Sequence, residues 1–271
     1  MPELAEVEFY RKQWQRGSRQ RILDVELHPG ARVLRGADTE ALRRTLTGAI
    51  LLSSEAHGKQ MFFRFSRKGW LGLHLGMTGQ LRVAPPGRAA GRHDHLVLRQ
   101  RRQSLVFTDP RQFGRVRFHA GDAPPPWRAN LPAPILSNQF TREAMERFLR
   151  RHGRQPLKAV LLMQAGFPGI GNWMADEILW RAGIHPQRRS VQLHPANTRR
   201  LYQQMRFVCR AALRTVGAGV GSVGADFGDP PATWLFHRRW RPGGKCPRDG
   251  SILRRGDIGG RTTCWCQCCQ T

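Results

Sequence analysis

Carboxylates are scarce in this sequence. Its 271 residues hold 19 Asp plus Glu against 45 Lys plus Arg, a formal charge of +26. A compact fold with that excess repels itself, and too few acids are present to neutralise it from within. Long apolar runs are also missing. The longest, such as "LKAVLLMQAGF", are too short and interrupted to span a membrane. No segment has the layout of a signal peptide, so a cytoplasmic, reducing location is expected, where clustered cysteines read as metal ligands before disulfides. Repeats and heptads are absent. Most of the chain lacks cysteine, because five of the six fall in the last 27 residues.

What is present points to a folded, anion-binding protein. The hydrophobic content of 40% supports a core rather than disorder. Arginine greatly outnumbers lysine, and its planar fork suits phosphates and guanine edges. Nucleic acid is therefore favoured over membrane, with an arginine-rich solvated surface as the plainer alternative. The 271 residues suffice for one large domain or two modest ones.

Residues 3–14 read as a helix, with Leu4, Val7, Tyr10 and Trp14 at helical spacing, Pro2 at its start and acidic residues suited to the dipole. From about residue 20 to 120 the chain turns to short strands: "AILLSSE", "MFFRFS", "WLGLHLG", "QLRVAP", "HLVLRQ", "SLVFTD" and "RVRFHA". That rhythm predicts a β-sandwich or barrel. "GDAPPPWRANLPAPIL", with five prolines, reads as a linker. Helical segments follow: "TREAMERFLRRH" capped by Thr141, "PLKAVLLMQ", "NWMADEILWRAG" ending at Gly183, and "ANTRRLYQQMRFVCRAALRTV", which carries Cys209 as a core residue. "GAGVGSVGADFGDPP" reads as a flexible loop.

The tail "KCPRDGSILRRGDIGGRTTCWCQCCQT" contains one metal knuckle, Cys266-x-x-Cys269, and a second of the same spacing in Cys246-x-x-Asp249. The 16 residues between Asp249 and Cys266 suit a β-hairpin. A carboxylate ligates Zn²⁺ readily, so the expected site is one structural zinc held by Cys246, Asp249, Cys266 and Cys269. Cys264 and Cys268 are spare thiols that should point away from the ligand face. A hairpin this small has almost no core, and metal would supply its folding energy. The alternative is a degraded site that holds no metal. "GFPGIGNWMADEIL" places Gly169 and Gly171 before a helix beginning at Asn172, a backbone shape that cradles phosphate.

Four segments in order, "PELAEVE", "HLGMTG" with "DPRQFG", "GIGNWMADEIL" and "GRTT…CxxCQ", resemble the formamidopyrimidine-DNA glycosylase/endonuclease VIII family along essentially the whole chain, and the formamidopyrimidine branch more closely. The resemblance implies an α+β fold: an N-terminal helix and β-sandwich (1–121), a proline-rich linker (122–136), a helix–two-turn–helix DNA-binding domain (137–224) and a zinc-binding β-hairpin (235–271). It implies a monomeric enzyme of base excision repair acting on double-stranded DNA with damaged bases or abasic sites, and associated with the nucleoid through that DNA.

Pro2, freed by removal of Met1, would carry a secondary amine that attacks the sugar C1′. An α-amino group with a pKa of about 7.7–8.0 keeps a useful neutral fraction near pH 7, and a secondary amine forms an iminium ion that promotes β,δ-elimination. The resemblance makes Glu3 a proton shuttle, Glu6 a contact to the lesion or its water, and Lys59 an assistant at the phosphate near the nucleophile. Met77, Arg111 and Phe113 would fill the space left by the flipped base. His74, Lys59, Asn172 and Arg261 would contact phosphates. Lys158 and Glu177 match positions at the damaged-base pocket or supporting it.

The chain departs from the family at several places. Ala5 replaces a proline. Trp173 replaces the isoleucine of "GIGNIY", and the next position loses its tyrosine, so the pocket wall is expected to gain an indole and lose a hydroxyl. "HRRWRPGGK" precedes Cys246, and "GAGVGSVGADF" replaces a "GGTT" run near the flipped base. These changes bear on substrate preference. Oxidised purines (8-oxoguanine, formamidopyrimidines) are the expected lesions. Oxidised pyrimidines or hydantoins, and a non-catalytic damaged-DNA-binding protein, are the alternatives.

Overall fold

Alternating side chains build the first half of the molecule. The computed structural model describes residues 1–218 and 227–271, and the chain divides into two units: Met1–Leu131 with Gly217–Phe227, and Pro132–Val216 with Gly228–Thr271. In the first unit each of the seven quoted β-rich segments falls on a strand: β2 (Leu51–His57), β3 (Gln60–Phe65), β4 (Gly69–His74), β5 (Gln80–Ala84), β6 (Asp94–Gln100), β7 (Ser104–Thr108) and β8 (Arg115–Ala120). With β1 (Ile22–Leu27) they form two antiparallel sheets, ordered β1-β6-β7-β5 and β2-β3-β4-β8. Every second residue enters one core, as in Met61, Phe63 and Phe65 of β3 or Leu71 and Leu73 of β4.

Two elements were not legible in the pattern. Strand β1 is apolar at four of six positions, but a register shift between Ile22 and Asp24 breaks its period of two and only Ile22 and Val25 are buried, while helix α2 (Thr39–Leu46) buries only Leu42 and Leu46. Its signature is the cap instead, since the Asp38 carboxylate accepts the Ala41 N–H at 2.9 Å.

Helix α1 (Leu4–Gln15) lies against strands of both sheets, β5 and β2. Its burial therefore exceeds the expected stripe. Val7, Tyr10 and Trp14 join the core with Phe9, Leu4 is only half-buried, and Glu6, Arg11 and Gln13 are buried too. Trp14 is fully enclosed, donates its indole N–H to the Val106 carbonyl at 3.3 Å and packs 5.1 Å from the Phe63 ring. The proline-rich stretch holds a one-turn helix, α3 (Pro126–Ala129), begun by prolines whose missing N–H groups cost nothing there.

The second unit contains α4 (Arg142–Arg151), α5 (Leu157–Leu161), α6 (Asn172–Ala182), α7 (Pro195–Thr215) and the hairpin β9 (Arg254–Asp257)–β10 (Thr262–Trp265). Thr141 caps α4 and accepts the Ala144 N–H at 3.1 Å. Helix α6 ends at Gly183 in the left-handed conformation, φ +64°. Cys209 is buried on α7. Among the described residues no helix is long and apolar enough to cross a membrane.

At Gly76 two loops of the first unit approach backbone to backbone. The glycine's φ is +63°, and a Cβ there would lie 2.4 Å from the Phe113 carbonyl carbon and 2.5 Å from the Gly114 nitrogen. Gly76→Ala is expected to cost about 1–3 kcal/mol through strain and overpacking and to spread the two loops apart. Urea denaturation measures this, and a variant of wild-type stability would contradict the packing described.

Candidate nucleic-acid interface and metal centre

The first unit gathers four of the predicted residues at the start of α1. Glu3 and Glu6 are buried, and the Glu6 Oε2 accepts the Glu3 backbone N–H at 3.2 Å. That bond closes the first helical turn and fixes the chain direction just behind Pro2, which is half-exposed. Lys59 projects from the turn between β2 and β3, and its Nζ lies 3.8 Å from the Met1 Sδ. An ammonium thus stands beside the N-terminus.

Met77, Arg111 and Phe113 come together on two loops that touch at Gly76. All three are exposed, with the Arg111 guanidinium 5.0 Å from the Phe113 ring centroid. The residue that aligns these loops is one the sequence reading missed. Asp109 is fully buried, accepts the Thr78 hydroxyl at 2.6 Å through Oδ1, and accepts the Gly114 N–H at 2.7 Å through Oδ2. One carboxylate thereby joins the Met77 loop to the Phe113 loop. Its signal was an Asp directly before Pro110, which marks a turn held by its own side chain.

His74 ends β4. Its Nδ1 accepts the Gly76 N–H at 3.1 Å, so the ring proton sits on Nε2. Burial, with Lys59 and Arg117 nearby, lowers its pKa below the ordinary value of 6.5. The imidazole is neutral at pH 7 and offers an N–H donor rather than a charge.

In the second unit α6 organises the predicted residues. Asn172 opens the helix behind Gly171, and its Nδ2 donates to the Thr262 carbonyl at 2.9 Å. One helical turn on, the fully buried Asp176 accepts the Lys158 ammonium, the Arg239 guanidinium at 2.6 Å and the Cys264 N–H at 3.1 Å. A further turn on, the Trp180 indole N–H lies 3.4 Å from the Cys246 Sγ. Positions 172, 176 and 180 form one stripe, and all three bond to the cysteine-rich tail.

Lys158 and Glu177 are both fully enclosed. Lys158 also donates to the Asn172 carbonyl at 2.6 Å, and Glu177 pairs with Arg181 at 2.7 Å. Burial raises the Glu177 carboxyl to about 7 despite Arg181, and its Oε2 has no hydrogen-bond partner. Trp173, expected at a pocket wall, turns inward to the rings of Trp234 and Phe236, with centroids 6.1 and 5.2 Å away. The glycine-rich run is largely outside the described residues, which omit 219–226.

The hairpin tail brings Cys246, Asp249, Cys266 and Cys269 together, with ligand atoms all within 4.8 Å of one another. Cys246 Sγ and Cys269 Sγ are 3.7 Å apart, close to the roughly 3.8 Å edge of a tetrahedron with about 2.3 Å metal–sulfur bonds. Ser251 donates to the Asp249 Oδ1 from its N–H at 2.9 Å and its hydroxyl at 2.6 Å. That leaves Oδ2 facing Cys269 at 3.0 Å and Cys266 at 3.2 Å. The cluster can hold a metal ion, and its donors fit one. Cys264 is buried outside it, its thiol pushed up to about 11 by burial and Asp176, and Cys268 is exposed. Arg261 is exposed in the turn between β9 and β10.

Residues 1–116 match the formamidopyrimidine-DNA glycosylase N-terminal domain, and residues 131–223 match that enzyme's H2TH domain. The chain belongs to the formamidopyrimidine-DNA glycosylase family. A glycosylase of that name from Roseiflexus sp. is 34% identical over 287 residues, covering 100% of both chains. Crystal structures of Lactococcus lactis Fpg, one with DNA containing N7-benzyl-Fapy-dG and one with DNA containing an oxidised pyrimidine, superpose with TM-scores of 0.87 at 27% identity over 99% of each chain. Family membership agrees with the expected α+β architecture and explains why one chain carries both a buried acidic helix start and a cysteine hairpin.

Two measurements test this geometry. Elemental analysis is expected to find one metal equivalent in the wild type and in Asp249→Cys, and little or none in Asp249→Ala. Retention of a full equivalent by the alanine variant would remove Asp249 from the ligand set. The raised Glu177 favours its neutral form in the fold, so its contribution to stability is full below pH 4.5 and is lost as pH rises through about 7. Glu177→Gln should abolish that fall, by about 3 kcal/mol at most. Thermal melts of both proteins from pH 5 to 8 read the difference, and parallel curves would contradict it.

Proposed function

We propose that the protein is a bifunctional DNA glycosylase and abasic-site lyase of base excision repair, excising oxidised purines through its N-terminal proline. The observation that carries this reading is the start of α1. A buried Glu3 stands next to Pro2, the Glu6 carboxylate ties down the first turn at 3.2 Å, and the Lys59 ammonium lies beside Met1.

With Met1 removed, the neutral Pro2 nitrogen attacks C1′ of the damaged nucleotide. The glycosidic bond breaks and the base leaves with a proton. Glu3 supplies a proton to the sugar ring oxygen, and the opened sugar is then held to Pro2 as an iminium ion. The iminium accepts the electron pair released when the C2′ proton is lost, which expels the 3′ phosphate. A second elimination expels the 5′ phosphate, and water frees Pro2. Lys59, as a cation beside the nucleophile, favours the uncharged amine and binds phosphate.

Met77 and Phe113 are exposed apolar groups on loops pinned by Asp109. Such side chains replace stacking lost when a base is flipped, and Arg111 beside them can hydrogen-bond the orphaned partner base. His74, Asn172 and Arg261 supply phosphate contacts. The proposed metal is zinc, held by Cys246, Asp249, Cys266 and Cys269. It would cross-link the hairpin that carries Arg261, and it takes no part in the chemistry. The proposed setting is the cytoplasm, on chromosomal DNA.

Borohydride added during reaction with an 8-oxoguanine duplex is expected to trap a covalent adduct, and peptide mapping should locate it on Pro2. No adduct with any lesion in a panel of oxidised purines, pyrimidines and hydantoins, in protein shown to begin at Pro2, would overturn the chemistry. An adduct formed only with pyrimidine lesions would reassign the substrate.

A further inference from the structure

The outer face of sheet β2-β3-β4-β8 carries a small recess bordered by His74 and Phe113, whose other lining residues have no role in the proposed chemistry. Strand pairing sets it out. Gln60, His74 and Arg115 lie in one row across β3, β4 and β8, and Gly72 pairs with Arg117 in the next. Gly72 leaves room for an indole, since a Cβ there would sit 3.1 Å from the Trp127 Nε1. Trp127, on α3, covers this gap with Arg117 stacked 5.8 Å from its ring centroid. With Arg35, these side chains enclose about 190 Å³. That is below the roughly 300 Å³ at which pockets for small organic ligands begin, and it suits a phosphate-sized group.

Three features of the recess ask for an anion. The Trp127 Nε1–H is buried without a hydrogen-bond partner. Arg35, Arg115 and Arg117 have no carboxylate partner among the described residues, although Arg82, Arg88, Arg99 and Arg128 of the same unit each find one. Arg117 is half-buried beside Arg115, and burial and that like charge lower its pKa. Arg35 and Arg115 are exposed, whereas Arg117 is a partly desolvated cation with no counter-charge, which is costly unless a ligand supplies one. Alongside them the His74 Nε2–H adds a neutral donor.

We infer that this recess is a phosphate subsite, in which Arg115 and Arg117 supply charge and the Trp127 N–H donates a hydrogen bond to a phosphate oxygen. The proposal rests on the reading of the protein as a DNA-binding enzyme, and the occupant expected is a backbone phosphate next to the one His74 contacts. Trp127 thereby acquires a role inside a stretch that reads as a linker.

The test measures affinity for a duplex holding a stable abasic analogue across a range of salt. The double variant Arg115→Gln/Arg117→Gln should make the plot of log K against log salt shallower by about 0.9, the release expected for one lost phosphate contact. Arg115→Lys/Arg117→Lys should restore the slope, which separates lost charge from misfolding. Trp127→Phe keeps the ring and should weaken binding about fivefold with the slope unchanged, as for one neutral hydrogen bond. Neutral methylphosphonate linkages walked along the strands should weaken the wild type at one position where the double glutamine variant is indifferent. Inorganic phosphate at matched ionic strength identifies the source of the anion. Competition with DNA in the wild type but not in the double variant would assign the recess to free phosphate.

An unchanged slope in the double variant, with no phosphate competition, overturns the subsite. Borohydride trapping is run on the same proteins. An adduct with an unchanged slope defeats the subsite alone, and a reduced slope without any adduct defeats the proline chemistry alone.

Discussion

One buried carboxylate holds the second unit together. Asp176 accepts from Lys158 of α5, from Arg239 in the segment before the hairpin, and from the backbone of Cys264 in β10. Two cations and a peptide N–H converge on one group with no exposed surface. Removing the carboxylate would leave two buried positive charges uncompensated, a loss usually of about 3–5 kcal/mol. Because the same helix places Asn172 one turn before Asp176 and Trp180 one turn after it, the ion cluster also sets the register of α6 against the metal hairpin. The helix start at Asn172 and the hairpin turn that carries Arg261 are thus parts of one arrangement, and a metal held by the cysteine cluster would cross-link only the far end of it.

A similar economy operates in the first unit. Asp109 joins the loop of Met77 to that of Phe113, and Gly76 lets the two backbones touch where any side chain would collide. Apolar side chains as exposed as Met77 and Phe113 have no core to hold them. Their position comes from the buried polar network beneath, which would suit the proposed wedge role. In the same unit, the Glu6 carboxylate plays the corresponding part for the start of α1.

How much of this was legible depends on distance along the chain. The strands β2–β8 were plain because their signal, a period of two, is local. So were the ends of α4 and α6, marked by Thr141 and Gly183, and the metal knuckles, marked by short cysteine spacings. Helix α2 was missed because two buried leucines make too weak a stripe among arginines. Asp176 was invisible because its partners lie 18, 63 and 88 residues away, so "MADEIL" reads as an ordinary helix with a solvated charge. Lys158 and Glu177 were picked out by resemblance alone, and the resemblance did not reveal that both would be fully enclosed. The inward turn of Trp173 was equally hidden, because only the aromatic partners Trp234 and Phe236 decide it.

The shortage of carboxylates takes on a structural meaning once their positions are known. Among the described residues six acids, Glu3, Glu6, Asp94, Asp109, Asp176 and Glu177, are buried. Asp94 is typical: hydrogen bonds from Thr108, Gly91, Arg82 and Arg88 hold its carboxyl far below the ordinary range in spite of burial. An acid on the surface of a DNA-binding protein repels the phosphates it must approach, whereas an acid inside the fold can be satisfied by donors and used to fix loops and helices. Withdrawing carboxylates inward therefore serves two ends at once. The interior gains strong acceptors at the points where elements must register. The surface keeps an excess of arginine that falls steeply in effect with salt, and Arg115 and Arg117 are among the arginines that no carboxylate of the described residues pairs.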